Sequence, residues 1–155
     1  MHDTTLLELF NNDIGTAERL LELIDIEFQA LSDRDLPRLQ SLLADKQPLL
    51  SLLDQHGQQR SQVLRGLQLS ADRAGLQALA AQSNQGAQLL ARGDQLSELL
   101  ERCQAANLRN GRLIRSSQAS TRNMLGILRG NETPSLYDSR GSAARIGQQR
   151  PLSQA

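Results

Sequence analysis

Residues 5–31 read TLLELFNNDIGTAERLLELIDIEFQAL, and the apolar positions in this stretch decide the fold. Leu7, Phe10, Ile14, Ala17, Leu21, Ile24, Phe28 and Leu31 follow one another at alternating spacings of 3 and 4. Such positions share one side of a helix, and a stripe held for more than three heptads is a coiled-coil seam. The spacing predicts a helix of roughly 40 Å from Thr5 to Leu31. Thr4 or Thr5 serves as its cap, with Glu8 three residues after Thr5 as a capping box requires.

Outward from that stretch the same period returns twice. Ser32-Asp33-Arg34-Asp35 interrupts it with capping residues, and Pro37 stands where a first helical turn tolerates proline. A second helix then carries Leu36, Leu39, Leu43, Lys46, Leu50, Leu53, Gly57, Arg60, Leu64 and Leu67 on its seam, kinked where Pro48 removes a backbone bond. Ser70-Ala71-Asp72 reads as a cap or turn, Leu76, Leu79 and Ala80 as a short helical piece, and Ser83-Asn84-Gln85-Gly86 as an interruption. A third long helix starts near Gln88. Its seam runs Leu89, Gly93, Leu96, Leu100, Cys103, Asn107, Asn110, Ile114, Ser117, Thr121, Met124 and Leu128, and Arg129-Gly130 stops it. Gly86 and Gly93, one heptad apart, are expected to let a neighbouring backbone come close.

Composition agrees with this reading. The chain has 155 residues, the length of one domain, with 31 Leu and 18 Gln against two Phe, one Tyr and no Trp. Val63 is the single valine, which argues against any sheet. The expected fold is all-α: a long antiparallel helical hairpin or bundle of three main helices with coiled-coil packing over residues 1–130. Residues 131–155 are expected to form a basic, largely disordered and flexible tail. Thr133-Pro134, Gly141, Gly147 and Pro151 punctuate it, and Leu136, Tyr137, Ile146 and Leu152 are too few to offset its ordering entropy.

The same inventory narrows the chemistry. One cysteine cannot form an intramolecular disulfide, and Cys103 with His2 and His56 makes no usual zinc site, so no metal or cofactor is expected. Cys103 occupies a seam position and reads as a small buried apolar residue; His56, between glutamines and glycine, reads as a solvated surface histidine. No strand leads into a phosphate loop, and no catalytic residue stands out, so the chain is not expected to be an enzyme. Met1-His2-Asp3 does not start a signal peptide, and no run of about 18 apolar residues exists to insert in a membrane, which leaves a cytoplasmic protein as the expectation.

Net charge is zero but divided: residues 1–54 hold 11 acidic and 4 basic groups, residues 102–155 hold 2 and 9. Either the first and last helices lie together and neutralise each other, or the basic end meets an acidic partner. Nucleic acid is disfavoured by the single lysine and the lack of stacking aromatics.

The third helix carries the most information about function. Asn107, Asn110, Ser117 and Thr121 stand on its seam with only Ile114 apolar among them, and a closed core does not accept four polar side chains without partners. Two readings stay open: the core moves to neighbouring Leu113 and Leu125, or this half of the helix lies partly open and forms a groove with the first helix that another helix can fill.

At this point the chain resembles the FlgN-type flagellar export chaperones. Glu27 and Leu31, then Asp35, Leu39, Leu42, Lys46, Leu49, Leu50 and Leu53, then Arg60, Leu64 and Leu67 follow that family's spacing. Asn107-x-x-Asn110-Gly111-Arg112-Leu113-Ile114 resembles its Asn-Gly segment, and Leu128-Arg129-Gly130 with Tyr137 and Gly141 resembles its helix end and tail motif. The family often has Tyr-Gly-Pro-Asp-Gly, where this chain has Tyr137-Asp138-Ser139-Arg140-Gly141. The resemblance implies a cytoplasmic chaperone, not an enzyme, that binds the C-terminal helical segments of the hook–filament junction (hook-associated) proteins. It would keep them unassembled and deliver them to the export gate. Asn107, Asn110, Gly111, Leu113, Ile114, Met124, Leu125 and Leu128 are the expected partner-binding residues, with Leu136 and Tyr137 of the tail folding over. By the same resemblance Tyr137 touches the export-gate protein instead. The alternative is a self-associating coiled-coil structural or adaptor protein, with its open seam paired to a second copy.

Overall fold

The computed structural model describes residues 2–128, with the backbone alone of Thr121, Ile127 and Leu128. Those residues form four helices, α1 (His2–Asp33), α2 (Leu36–Gly66), α3 (Arg73–Ala80) and α4 (Gly86–Leu128), and no strand is present among them. The basic segment 131–155 lies outside the described residues.

α1 begins three residues earlier than its seam requires, because Asp3 supplies the anion that a helix N-terminus favours. Its carboxylate accepts the Thr4 N–H at 2.9 Å and the Ser83 hydroxyl at 2.7 Å, and the Ser83 bond above all lowers its pKa to about 2. At the other end Arg34 adopts φ 55, a left-handed residue that reverses the chain while the Asp35 N–H reaches back to the Ala30 carbonyl at 2.9 Å. Asp35 then caps α2 by accepting the Arg38 N–H at 3.2 Å. α2 continues through Pro48 as one helix.

The short piece expected after Ser70 is α3. Asp72 caps it by accepting the Gly75 N–H at 3.0 Å. A Cβ on Gly75 would lie 1.7 Å from the Ser70 carbonyl oxygen, so the turn closes only around glycine. Gly86 meets backbone, as expected: a Cβ there would stand 2.1 Å from the Ala80 carbonyl oxygen. Gly93 faces side chains instead, those of Leu76 and Phe10.

α1 is the central rod, packed against both α2 and α4. It runs antiparallel to α2: Asp13 meets Arg60 and Glu27 meets Lys46, so facing residue numbers add to 73. It runs parallel to α4: the Cys103 thiol points at the Ala17 carbonyl and the Asn110 amide at that of Ile24, each an offset of 86 residues. Side by side, the acidic and basic helices meet at Asp25 and Arg109, 3.1 Å apart, with Arg109 also lying 4.2 Å over the Phe28 ring.

The core is built of leucine layers. Leu6, Phe10, Ile14, Ala17, Leu64, Leu76, Leu89, Leu96 and Leu99 fill the end near α3, and Leu20, Ile24, Cys103 and Ala106 continue it, covered by Leu49, Leu50 and Leu53 of α2. Because α1 has neighbours on two sides, its buried face is wider than one seam and takes in Leu9, Leu20 and Leu23. That face also carries Asp13, fully buried, whose carboxylate binds the Arg60 guanidinium and lies 2.6 Å from His56 Nδ1. His56 is therefore not a solvated surface residue. The polar seam residues of α2 are the partners of α1's buried acids.

Asp13→Ala would leave the Arg60 guanidinium half-buried without its counter-charge, beside an unpartnered imidazole. The expected loss is about 3 kcal/mol, seen as a lower urea midpoint with an unchanged slope.

Candidate functional site: an open trough at one end of the bundle

The leucine layers stop short of one end of the bundle. At the observed offset, Asp33 at the end of α1 stands level with residue 119, so α4 runs nine residues, about 14 Å, past its support. On α2 the same registers place Leu43 level with residue 116 of α4 and Leu36 level with residue 123.

Each helix carries its packed stripe into this end. Leu36 and Leu43 prolong, heptad by heptad, the side of α2 on which Leu50 packs against the core layer of Leu20, Ile24, Cys103 and Ala106. Leu31 prolongs the Ile24 side of α1, and Leu113 the Ala106 side of α4. Leu113, Ile114, Met124, Leu125 and Leu128 fall within about 120° of the α4 circumference, centred on the direction of Asn110.

These side chains lose their cover. Leu36 is 68% exposed, Leu43 47%, Ile114 38%, Met124 62% and Leu125 43%; Leu31 and Leu113 are half-buried. Of seven large apolar residues exposed among those described, these five gather at this end. Scattered single leucines are ordinary on a surface, but a gathering along three rods outlines a trough.

A polar knot closes the trough's base. Glu27 on α1 accepts the Lys46 ammonium of α2 at 2.7 Å through one oxygen, and the Asn110 amide of α4 at 2.8 Å through the other. The same Asn110 amide donates to the Ile24 carbonyl at 2.8 Å, and its oxygen accepts from Arg109 at 3.1–3.2 Å. Asn110 is therefore sealed and satisfied, and Gly111 beside it is buried. Both are withdrawn from the surface, and Asn110 fastens α4 to α1. Asn107 and Ser117 are half-buried and already engaged in interactions. Leu113, Ile114, Met124 and Leu125 line the trough, the backbone of Leu128 continues it, and Leu136 and Tyr137 lie outside the described residues.

The FlgN protein family matches residues 1–145. The chain belongs to the FlgN family. It is also similar to a solved structure from Pseudomonas aeruginosa, determined at 1.48 Å and described as a flagella synthesis protein FlgN. The two share 56% identity over 80% of this chain and 95% of the other, with a TM-score of 0.69. No curated protein matches the chain. Membership gives it a role in flagellum synthesis. No described helix is long and apolar enough to cross a membrane. Glu27, Lys46 and Asn110, which helped carry the family resemblance, are the residues that meet in the knot.

Cys103 has the buried seam position expected of it. Its thiol points at the Ala17 carbonyl at 3.6 Å, and burial pushes its pKa up, so little thiolate forms near neutral pH. Two outcomes follow from this geometry. Native Cys103 should react with an alkylating reagent at pH 8 only at the rate of unfolding, whereas urea-unfolded chain reacts at once. Asn110→Ala strips the Ile24 carbonyl and one Glu27 oxygen of their donor, and should lower the unfolding free energy by about 1–3 kcal/mol in the same urea titration.

Proposed function

We propose that this chain is an export chaperone that lays the C-terminal helical segment of a hook–filament junction protein into the open trough. The observation that carries this reading is the gathering of Leu36, Leu43, Ile114, Met124 and Leu125 beyond the last closed core layer. A junction protein carries terminal helices that assemble through apolar faces, and a lone amphipathic helix covers such a face poorly. Three rods with a missing fourth supply the complement, because a helix lying between α2 and α4 buries its stripe against leucines on both walls.

The trough suits temporary capture. Its walls are flexible leucine and methionine side chains, which accommodate different apolar faces with modest affinity. The sealed knot beneath it contributes rigidity without offering charge to the occupant. Holding the segment prevents premature assembly, and delivery to the export gate, with Tyr137 of the tail as the contact, completes the role. That work belongs in the cytoplasm, where junction proteins await export. The FlgN family is one of flagellar export chaperones and is not known for enzymes.

Titration calorimetry of the full chain with a synthetic C-terminal helix of a hook–filament junction protein tests the reading. Met124→Asp with Leu125→Asp should weaken binding at least about tenfold, the loss of one well-buried apolar side chain, with unchanged helicity. Leu108→Asp, on the opposite side of α4, should leave affinity unchanged. Equal binding by all three chains rules out the trough. Self-association abolished by the same double variant would support the coiled-coil adaptor instead.

A further inference from the structure

We infer that, while no partner is bound, the trough is occupied by the chain's own C-terminal tail, with Leu136 and Tyr137 seated against Leu36 and Leu43 of α2. The regulatory consequence, that a partner helix must displace this segment, rests on the proposed function; the docking itself does not.

Place, length and composition single out the tail as occupant. The described part of α4 reaches Leu128, beyond the trough's open end and about 8 Å past the level of Leu36. Twenty-seven residues follow, 129–155, and the first apolar pair, Leu136-Tyr137, comes after seven intervening residues. Extended, eight residue steps span at most about 28 Å, so the pair can turn back onto α2 without strain. Gly130 and Pro134 lie within that connection, residues suited to a change of direction.

The two surfaces also suit each other chemically. Leu36 and Leu43 lie one heptad apart on one side of α2 and are the most exposed large apolar pair on that wall. Exposed Asp33, three residues before Leu36, has no cation on its carboxylate among the described residues, whereas Arg140, Arg145 and Arg150 follow Tyr137. A segment tethered beside its site meets it at millimolar effective concentration, so weak contacts suffice. A second copy, by contrast, has to be recruited from dilute solution.

The chain reports on this contact by itself. Tyr137 is its only tyrosine and it has no tryptophan, so tyrosine emission comes from the tail alone. In the full chain, acrylamide should quench that emission several-fold less than in urea-unfolded chain. Leu36→Asp with Leu43→Asp, both at exposed positions, should raise quenching to near the unfolded value while circular dichroism stays unchanged. Native quenching equal to the unfolded value overturns the inference, as does protection that survives the double variant. Protection lost on dilution assigns the trough to a second copy and overturns it as well. Adding the junction-protein helix should expose Tyr137; a helix that binds and leaves it protected refutes displacement. A helix that fails to bind at all overturns the proposed function, while tail docking is still read from the isolated chain.

Discussion

The carboxylate of Glu27 stands where three helices must agree. It takes Lys46 from α2 and Asn110 from α4, and it does so where water is largely excluded. A leucine ladder alone is nearly indifferent to sliding by one heptad, since a leucine then meets another leucine. The polar groups are not indifferent. Shifting α2 by seven residues in either direction sets Glu27 opposite Leu53 or Leu39 and Asp13 opposite Leu67 or Leu53, stranding two carboxylates, one fully buried, and the cation of Lys46. Unpaired charges at such depth are far more costly than the difference between two leucine registers. The two polar layers therefore select one alignment of α1 with α2, and the Asn110 bonds extend it to α4.

That alignment also determines where the apolar cover runs out. With an offset of 86 between α1 and α4, the central rod ends nine residues before α4 does, and the wall formed by α2 starts at Leu36. The trough is thus a consequence of register and of unequal helix lengths. No special motif marks it.

This explains which features could be seen in the residues themselves. The 3–4 spacing of apolar positions identifies each long helix, and Ser70-Ala71-Asp72 and Gly86 mark the ends of the short connection, because period and capping are local properties. Asp13 carries no such local signal: a single acid beside Ile14 on an apolar stripe looks like the edge of the solvated face. Its partners His56 and Arg60 lie more than forty residues away, and nothing local joins them. Asn110 stands out in the sequence as a polar residue on an inward line, yet its partners are internal: its amide donates to Ile24 and Glu27. Pattern reading can detect that a buried amide needs a partner. Only the register says whether that partner is in the same chain.

The overhang of α4 has an energetic meaning of its own. A helix segment of two or three turns is marginal in water, and most helical stability in proteins comes from packing an apolar face. Beyond residue 119 that packing has no α1 beneath it, so the order of these turns depends on whatever fills the trough. An occupant consequently supplies contacts and also stabilises the helix it touches, and part of its interaction energy goes into ordering. Affinity is held down while the contact area stays large. The proposed export chaperone would need that combination: a broad apolar contact that excludes competing assembly, with a net free energy small enough to be reversed at delivery.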